Sequence, residues 1–204
     1  MGAIAETLAG FAAEFESAAI PAQVRERAAL HFTDVLGCGI AAVGLDAAPQ
    51  ASELAWRQGG RGEASLIGAG PKVPAAQAAL ANGTRCHALD FDDTHEAGIC
   101  HSSVVVAPAA LAAAEVTDAS GREMLAAYVL GSEIALRIAV AAADELYERG
   151  FHPTSVCGAF GAAAAAARLF AADRVTTANA LGIVGSFAAG LFEYLSDGSA
   201  TKPL

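Results

Sequence analysis

The amino-acid sequence predicts an all-α fold. Apolar residues recur at helical spacing along almost the whole chain, as in the stripe of Ile4, Leu8, Phe11 and Phe15. Alanine supplies much of the 54% hydrophobic content, and alanine is the residue that favours helices most. A short stretch over residues 63–70 is the single plausible strand. Together these observations indicate helices packed on helices.

The predicted helices follow one another with turn signals between them. The second helix has Pro21 in its first turn, where a missing N–H costs nothing, and its second half is wholly apolar and therefore expected to be buried. Gly59 and Gly60 end the third helix. The full predicted set covers residues 4–16, 21–44, 50–58, 73–93, 103–117, 121–148, 154–171 and 176–195.

The chain shows no linker and no repeat, so residues 1–204 are expected to form one all-helical domain. Glycine weakens a helix, and its recurrence at 158 and 161 and at 182 and 185 therefore predicts helices packed at short distance.

Composition excludes several classes of protein. With 17% charged residues, a net charge of −10 and no basic cluster, nucleic acid is not an expected partner. No stretch is predicted to span a membrane or to act as a leader, so a cytoplasmic location is expected. The four cysteines contain no C-x-x-C pair, which argues against an iron–sulfur or structural zinc site; Cys38, Cys86, Cys100 and Cys157 are predicted to be buried free thiols.

Ionisable residues concentrate in "ALDFDDTHEAGICHSS", residues 88–103. If the helix that begins near residue 75 continues to residue 94, Asp90 and Thr94 share one face and His87 joins it. Asp93 would lie beside this face, and Asp92 would point elsewhere. The arrangement brings a carboxylate, a hydroxyl and an imidazole together, although a solvated helix end would also be rich in aspartate.

Two further histidines precede predicted helices. His101 comes before Ser102 and Ser103, which are good N-cap residues, and His152 comes before a helix that starts near Thr154. Free N–H groups at a helix start favour carboxylate or phosphate groups. Lys202 would add an ammonium group, and together these groups would hold a polyanionic acid. The alternatives are structural histidines and a surface lysine.

A metal site is not expected here. His87, His95 and Glu96 could join the aspartates, but no pair has the H-x-x-x-H or E-x-x-H spacing that places two ligands on one helical face. His31 lies on a helix that packs, and no role is assigned to it.

The motifs together resemble one enzyme family. "NGTRCHALDFDDTH", "HSSVVVAPAALAAAE", "GFHPTSVCGAFGAAAAAARLF" and "DGSATKPL" are similar to the MmgE/PrpD family, over essentially the whole chain. The resemblance implies a multi-helix domain joined to a smaller α/β lid domain, a homodimer, and a site between the domains that uses no metal and no organic cofactor. By matching positions, it places site residues on Asp90, Thr94, His101, His152 and Lys202.

The chain departs from the family in three ways. Ser102 stands where proline often follows the first histidine, and the interval from Thr94 to His101 is a residue longer than in some members. Family members are also about twice this length, and we therefore expect the lid to be absent from this chain and the chain to be the N-terminal portion of a two-domain enzyme.

The resemblance implies a lyase that acts on a small di- or tricarboxylic acid by proton transfer next to a carboxylate. Dehydration of a 2-methylcitrate-type acid is the first expectation, with cis-aconitate decarboxylation and iminodisuccinate epimerisation as alternatives. A catalytically inert helical fragment or dimerising scaffold is the remaining hypothesis.

Overall fold

The computed structural model describes residues 4–68 and 70–203, and their fold is all-α as predicted. Ala69 and the chain ends, residues 1–3 and 204, lie outside the described residues. The described helices are α1 (Ile4–Glu14), α2 (Ala22–Gly44), α3 (Gln50–Gln58), α4 (Ala75–His87), α5 (Ser102–Thr117), α6 (Gly121–Glu148), α7 (Pro153–Leu169), α8 (Arg174–Phe187) and the short α9 (Tyr194–Asp197).

The centre of the fold is the packing of α5, α6 and α7. A Cβ atom built on Gly131 of α6 would lie 2.5 Å from the carbonyl oxygen of Gly161 in α7, and the reverse distance is the same. The two backbones therefore touch, which only glycine permits at this crossing. Close packing is thus confirmed at Gly161, whereas Gly182 faces open space and that part of the prediction is wrong.

Helix α6 is the longest helix and a core element. By length and composition it could also cross a membrane, but Leu130 and Ile134 on it are fully buried in the protein interior. The sequence prediction that no segment spans a membrane stays a prediction.

The predicted strand over residues 63–70 is wrong for the residues described. Among its described residues, the only strand-like pairing is an isolated bridge between Ala64 and Val73. The next backbone N–H groups are taken by side chains instead: Ser65 donates to Glu115 Oε1 at 2.9 Å, and Ile67 donates to Asn82 Oδ1 at 2.8 Å. Because side chains of α5 and α4 accept from these donors, no second strand is required there.

Two predicted helices end early. The helix predicted over 73–93 ends at His87, and the helix predicted over 176–195 ends at Phe187. In the second case the break leads to Gly190, whose φ of +136° is a conformation that other residues rarely adopt. Both breaks lie at the candidate site described below.

Candidate functional site

Four segments converge at one end of the bundle: the loop after α4, the starts of α5 and α7, and the chain after α8. His152 N–H donates to the Gly190 carbonyl at 3.0 Å, which ties the start of α7 to the segment after α8. His101 N–H donates to Thr154 Oγ1 at 3.0 Å, which ties the start of α5 to α7. These bonds fix His101 and His152, the two predicted histidines, relative to each other.

The loop after α4 differs from the prediction. Asp90 has a left-handed backbone with φ of 56°, so the chain leaves the helical path after His87. The predicted helical face of His87, Asp90 and Thr94 therefore does not form. Asp92, which the helical pattern pointed elsewhere, turns into the protein, and its side chain is fully buried.

Asp92 bridges two imidazoles. Its Oδ1 lies 2.8 Å from Nδ1 of His87, and its Oδ2 lies 2.8 Å from Nδ1 of His101. Burial alone would raise the pKa of the Asp92 carboxyl, but the hydrogen bonds from His101 and His87 hold it well below its usual range. An ionised carboxylate only accepts hydrogen bonds, so both Nδ1 atoms carry a proton.

His101 is the more accessible of these two imidazoles. The His101 side chain is 16% exposed, whereas the His87 side chain is 4% exposed. Thr94 Oγ1 lies 3.2 Å from His101 Nδ1, so Thr94 joins the site through this histidine. His101 itself is the N-cap residue of α5, in place of the predicted Ser102 or Ser103.

His152 completes a row of three imidazoles. Its ring stacks on that of His87, with centroids 6.3 Å apart, and the His87 and His101 rings are 4.8 Å apart. Burial lowers the pKa of His152 to about 4, with nearby His87 and Lys202 adding to the effect. The ring is therefore neutral at pH 7, and its Nδ1 lies 3.1 Å from Ser155 Oγ.

A cavity of about 550 Å³ opens beside His152. Lys202 lines it and donates to Asp90 Oδ1 in an ion pair. Tyr194 forms another wall, and burial and the charge of Asp90 raise the pKa of this phenol to about 12, so the hydroxyl stays protonated. Two further acidic residues, Glu193 and Asp197, line the cavity.

The adjacent carboxylate, Asp93, faces the other way. Its Oδ2 accepts from Ser103 Oγ at 2.7 Å and lies 2.8 Å from Nδ1 of His31. Ser103 also contacts the hydroxyl of Tyr128. His31, for which no role was predicted, thus anchors the loop to α2.

Four side chains have potential metal-ligand atoms within 4.8 Å of one another: His87, Asp90, Asp92 and His101. These groups pair with neighbours, since both imidazoles donate to Asp92 through Nδ1 and the Lys202 ammonium pairs with Asp90, whereas the buried Nε2 of His87 has no hydrogen-bond partner among the described residues. The absence of a metal at this site stays a prediction.

The structure gathers all five predicted site residues. Thr94 contacts His101, Asp90 pairs with Lys202, and His152 shares the cavity with Lys202. The prediction missed Asp92, and no periodic pattern reveals which of three clustered aspartates turns inward.

Comparison with known proteins matches the chain to the family that its motifs resemble. Residues 6–204 match the MmgE/PrpD N-terminal domain. The cis-aconitate decarboxylase-like protein oryM of Aspergillus oryzae is 32% identical over 98% of this chain and 43% of its own length. Cis-aconitate decarboxylases of Aspergillus terreus and Homo sapiens are 29% and 36% identical, over 84% and 65% of this chain. The chain spans less than half the length of these relatives, 36% and 28% for the latter two.

Proposed function

Because the chain belongs to the MmgE/PrpD family, we propose that it is the helical part of a lyase that acts on a small di- or tricarboxylic acid by moving a proton next to a carboxylate. The observation that carries this proposal is the row of three imidazoles: two are held by a buried carboxylate, and the third, His152, lines a cavity together with the Lys202 ammonium.

The proposed step uses these groups in defined roles. In dehydration, an imidazole, His101 or His152, takes the proton as the C–H bond breaks; the electron pair delocalises onto the adjacent carboxylate oxygens and then expels the hydroxyl group, which takes up a proton and leaves as water. In decarboxylation, the C–C bond to the departing carbon dioxide breaks instead, and the protonated imidazole gives its proton to the carbon. A neutral histidine suits the role of base, which fits the lowered pKa of His152. Asp90 and Thr94 position the substrate or the imidazole.

Negative charge that develops on the substrate needs donors that are already in place. Lys202 is one, and a substrate carboxylate would replace or share its contact with Asp90. The first turns of α5 and α7 are the others, because neither helix has a side-chain cap on its N-terminal N–H groups.

Two reactions have the strongest support. The family resemblance made 2-methylcitrate-type dehydration the first expectation, and the three relatives named above are called cis-aconitate decarboxylases or decarboxylase-like, which gives decarboxylation comparable support. Both reactions develop charge next to a carboxylate, so the described residues serve either. Iminodisuccinate epimerisation stays the third alternative.

The described cavity alone is poorly suited to a polyanion. Its lining carries one ammonium group, already paired, and the carboxylates of Glu193 and Asp197. We therefore propose that additional cationic groups come from chain beyond the helical part, as the greater length of the relatives allows, and that the 204-residue chain alone is inert. The predicted homodimer and cytoplasmic location are proposed for the same longer protein.

The test is to assay the longer protein and the 204-residue chain with 2-methylcitrate and cis-aconitate. Water loss is followed by the absorbance of the unsaturated product, and decarboxylation by release of carbon dioxide. Turnover by the longer protein with either acid supports the function and selects the reaction. No turnover of these or other di- and tricarboxylates by a folded longer protein contradicts it.

A further inference from the structure

We infer that Asp92 is a positioning residue, which holds His101 with the proton on Nδ1 so that Nε2 is the atom that accepts the substrate proton. This inference rests on the proposed function. The contact that carries it is the 2.8 Å bond between Asp92 Oδ2 and His101 Nδ1 inside the protein.

The geometry keeps Asp92 away from direct contact with a substrate. Its side chain is fully buried and both of its oxygens are used, one by each imidazole. It therefore does not reach a substrate in the cavity, and its influence passes through His101. A neutral imidazole has one N–H and one lone pair, so donation at Nδ1 leaves the lone pair on Nε2.

His87 secures the other side of this carboxylate. It is almost fully buried, donates to Asp92 Oδ1 and packs between the rings of His101 and His152. Without this donor, one oxygen of a buried carboxylate would lose its partner, and the bond to His101 would lose its fixed direction. His87 thus acts on His101 through Asp92.

Asp92→Asn tests the inference because it removes one acceptor. The amide offers one oxygen and one NH₂ group, so it accepts from only one of the two imidazoles, and the other must accept at its own Nδ1 and carry its proton on Nε2. Where His101 is the imidazole that changes tautomer, the kcat of the longer protein should fall by at least about a hundredfold with KM within about threefold. Asp93→Asn, the same change on the neighbouring residue that faces His31, should leave both unchanged.

Tautomers are read directly by ¹⁵N NMR of histidine-labelled protein, assigned with single His→Asn variants. In the unmodified chain we expect His87 and His101 both to be protonated at Nδ1. A His101 protonated at Nε2 would overturn the inference. In Asp92→Asn, loss of kcat must accompany the change of the His101 tautomer; either one without the other would also overturn it.

The tautomer measurement needs no substrate, so it tests whether Asp92 holds the His101 proton on Nδ1 separately from the proposed activity. If Asp92→Asn does not fold, His87 gives a second comparison. His87→Asn keeps an N–H as far along the side chain as Nδ1 and should retain kcat within about threefold, whereas His87→Leu removes the donor and should lower kcat at least about tenfold. Equal activity of the two variants would contradict the role of His87.

Discussion

Acid should destabilise the folded chain through His152. This side chain is 3% exposed, and its burial lowers its pKa from 6.5 to about 4. In the unfolded chain the imidazole is free to take up a proton near pH 6.5. The unfolded state therefore binds more protons between pH 6.5 and 4, and the stability that is fully present above pH 6.5 is lost as the pH falls through this window.

The magnitude follows from the size of the shift. Each unit of pKa corresponds to about 1.4 kcal/mol, so His152 contributes a loss of about 3 kcal/mol once the pH has fallen to 4. A loss of this size is a large part of the stability of a typical domain, about 5–15 kcal/mol.

The assay compares urea unfolding of the unmodified chain with that of His152→Asn at pH 7.5 and pH 4. Asparagine does not titrate, and its amide keeps a partner for Ser155 Oγ at the position of Nδ1. Other groups titrate equally in both proteins, so the variant should lose about 3 kcal/mol less. His95→Asn, at an exposed position in the same loop region, is the control and should follow the unmodified chain. Equal losses in His152→Asn and the unmodified chain would refute the reasoning.

Three further predictions concern the site, the core and the thiols. Lys202→Ala in the longer protein should lower kcat/KM at least about a hundredfold. The control is Lys72→Ala, which removes the only other lysine in the sequence from its ion pair with Glu115 and should change kcat/KM less than about twofold. Equal effects of the two substitutions would contradict the role of Lys202. Gly161→Ala should destabilise the folded chain by about 3 kcal/mol or more and lower its Tm by about 6–12 °C, because the new Cβ would meet the Gly131 carbonyl oxygen at 2.5 Å. The control, Gly182→Ala in open space, should leave the stability unchanged or raise it by up to about 1 kcal/mol. A Gly161→Ala protein as stable as the unmodified chain in thermal unfolding would disprove the close contact. The four cysteines are free and buried, with burial raising the pKa of Cys86 and Cys100 to about 12, so a thiol reagent at pH 8 should label them only after unfolding; rapid labelling of the native chain would contradict their burial.

Much of the helical framework could be predicted because it depends on local pattern. The helices over 50–58 and 121–148 occur as predicted, since apolar spacing and glycine or serine boundaries are properties of neighbouring residues. The end of α4 could not be predicted in this way. "ALDFDDT" is compatible with helix, and the chain leaves the helical path where Asp92 finds buried partners in His87 and His101.

The same distinction applies to the candidate site. Residue types and motif spacing were enough to select Asp90, Thr94, His101, His152 and Lys202, because few ionisable groups interrupt an apolar chain. They gave no sign that Asp92 turns inward, since that depends on residues distant in sequence. His101 lies nine positions from Asp92, and its backbone is held by Thr154, a further 53 positions along the chain.

The amino-acid sequence by itself determined that this protein is helical, that its ionisable chemistry clusters in a few short segments, and which family those segments resemble. Only the tertiary structure decided which carboxylate is buried, which imidazoles it holds and in which tautomer. The physical reason is that helix formation follows from the properties of neighbouring residues, whereas a buried charge is stable only where partners from other segments meet it.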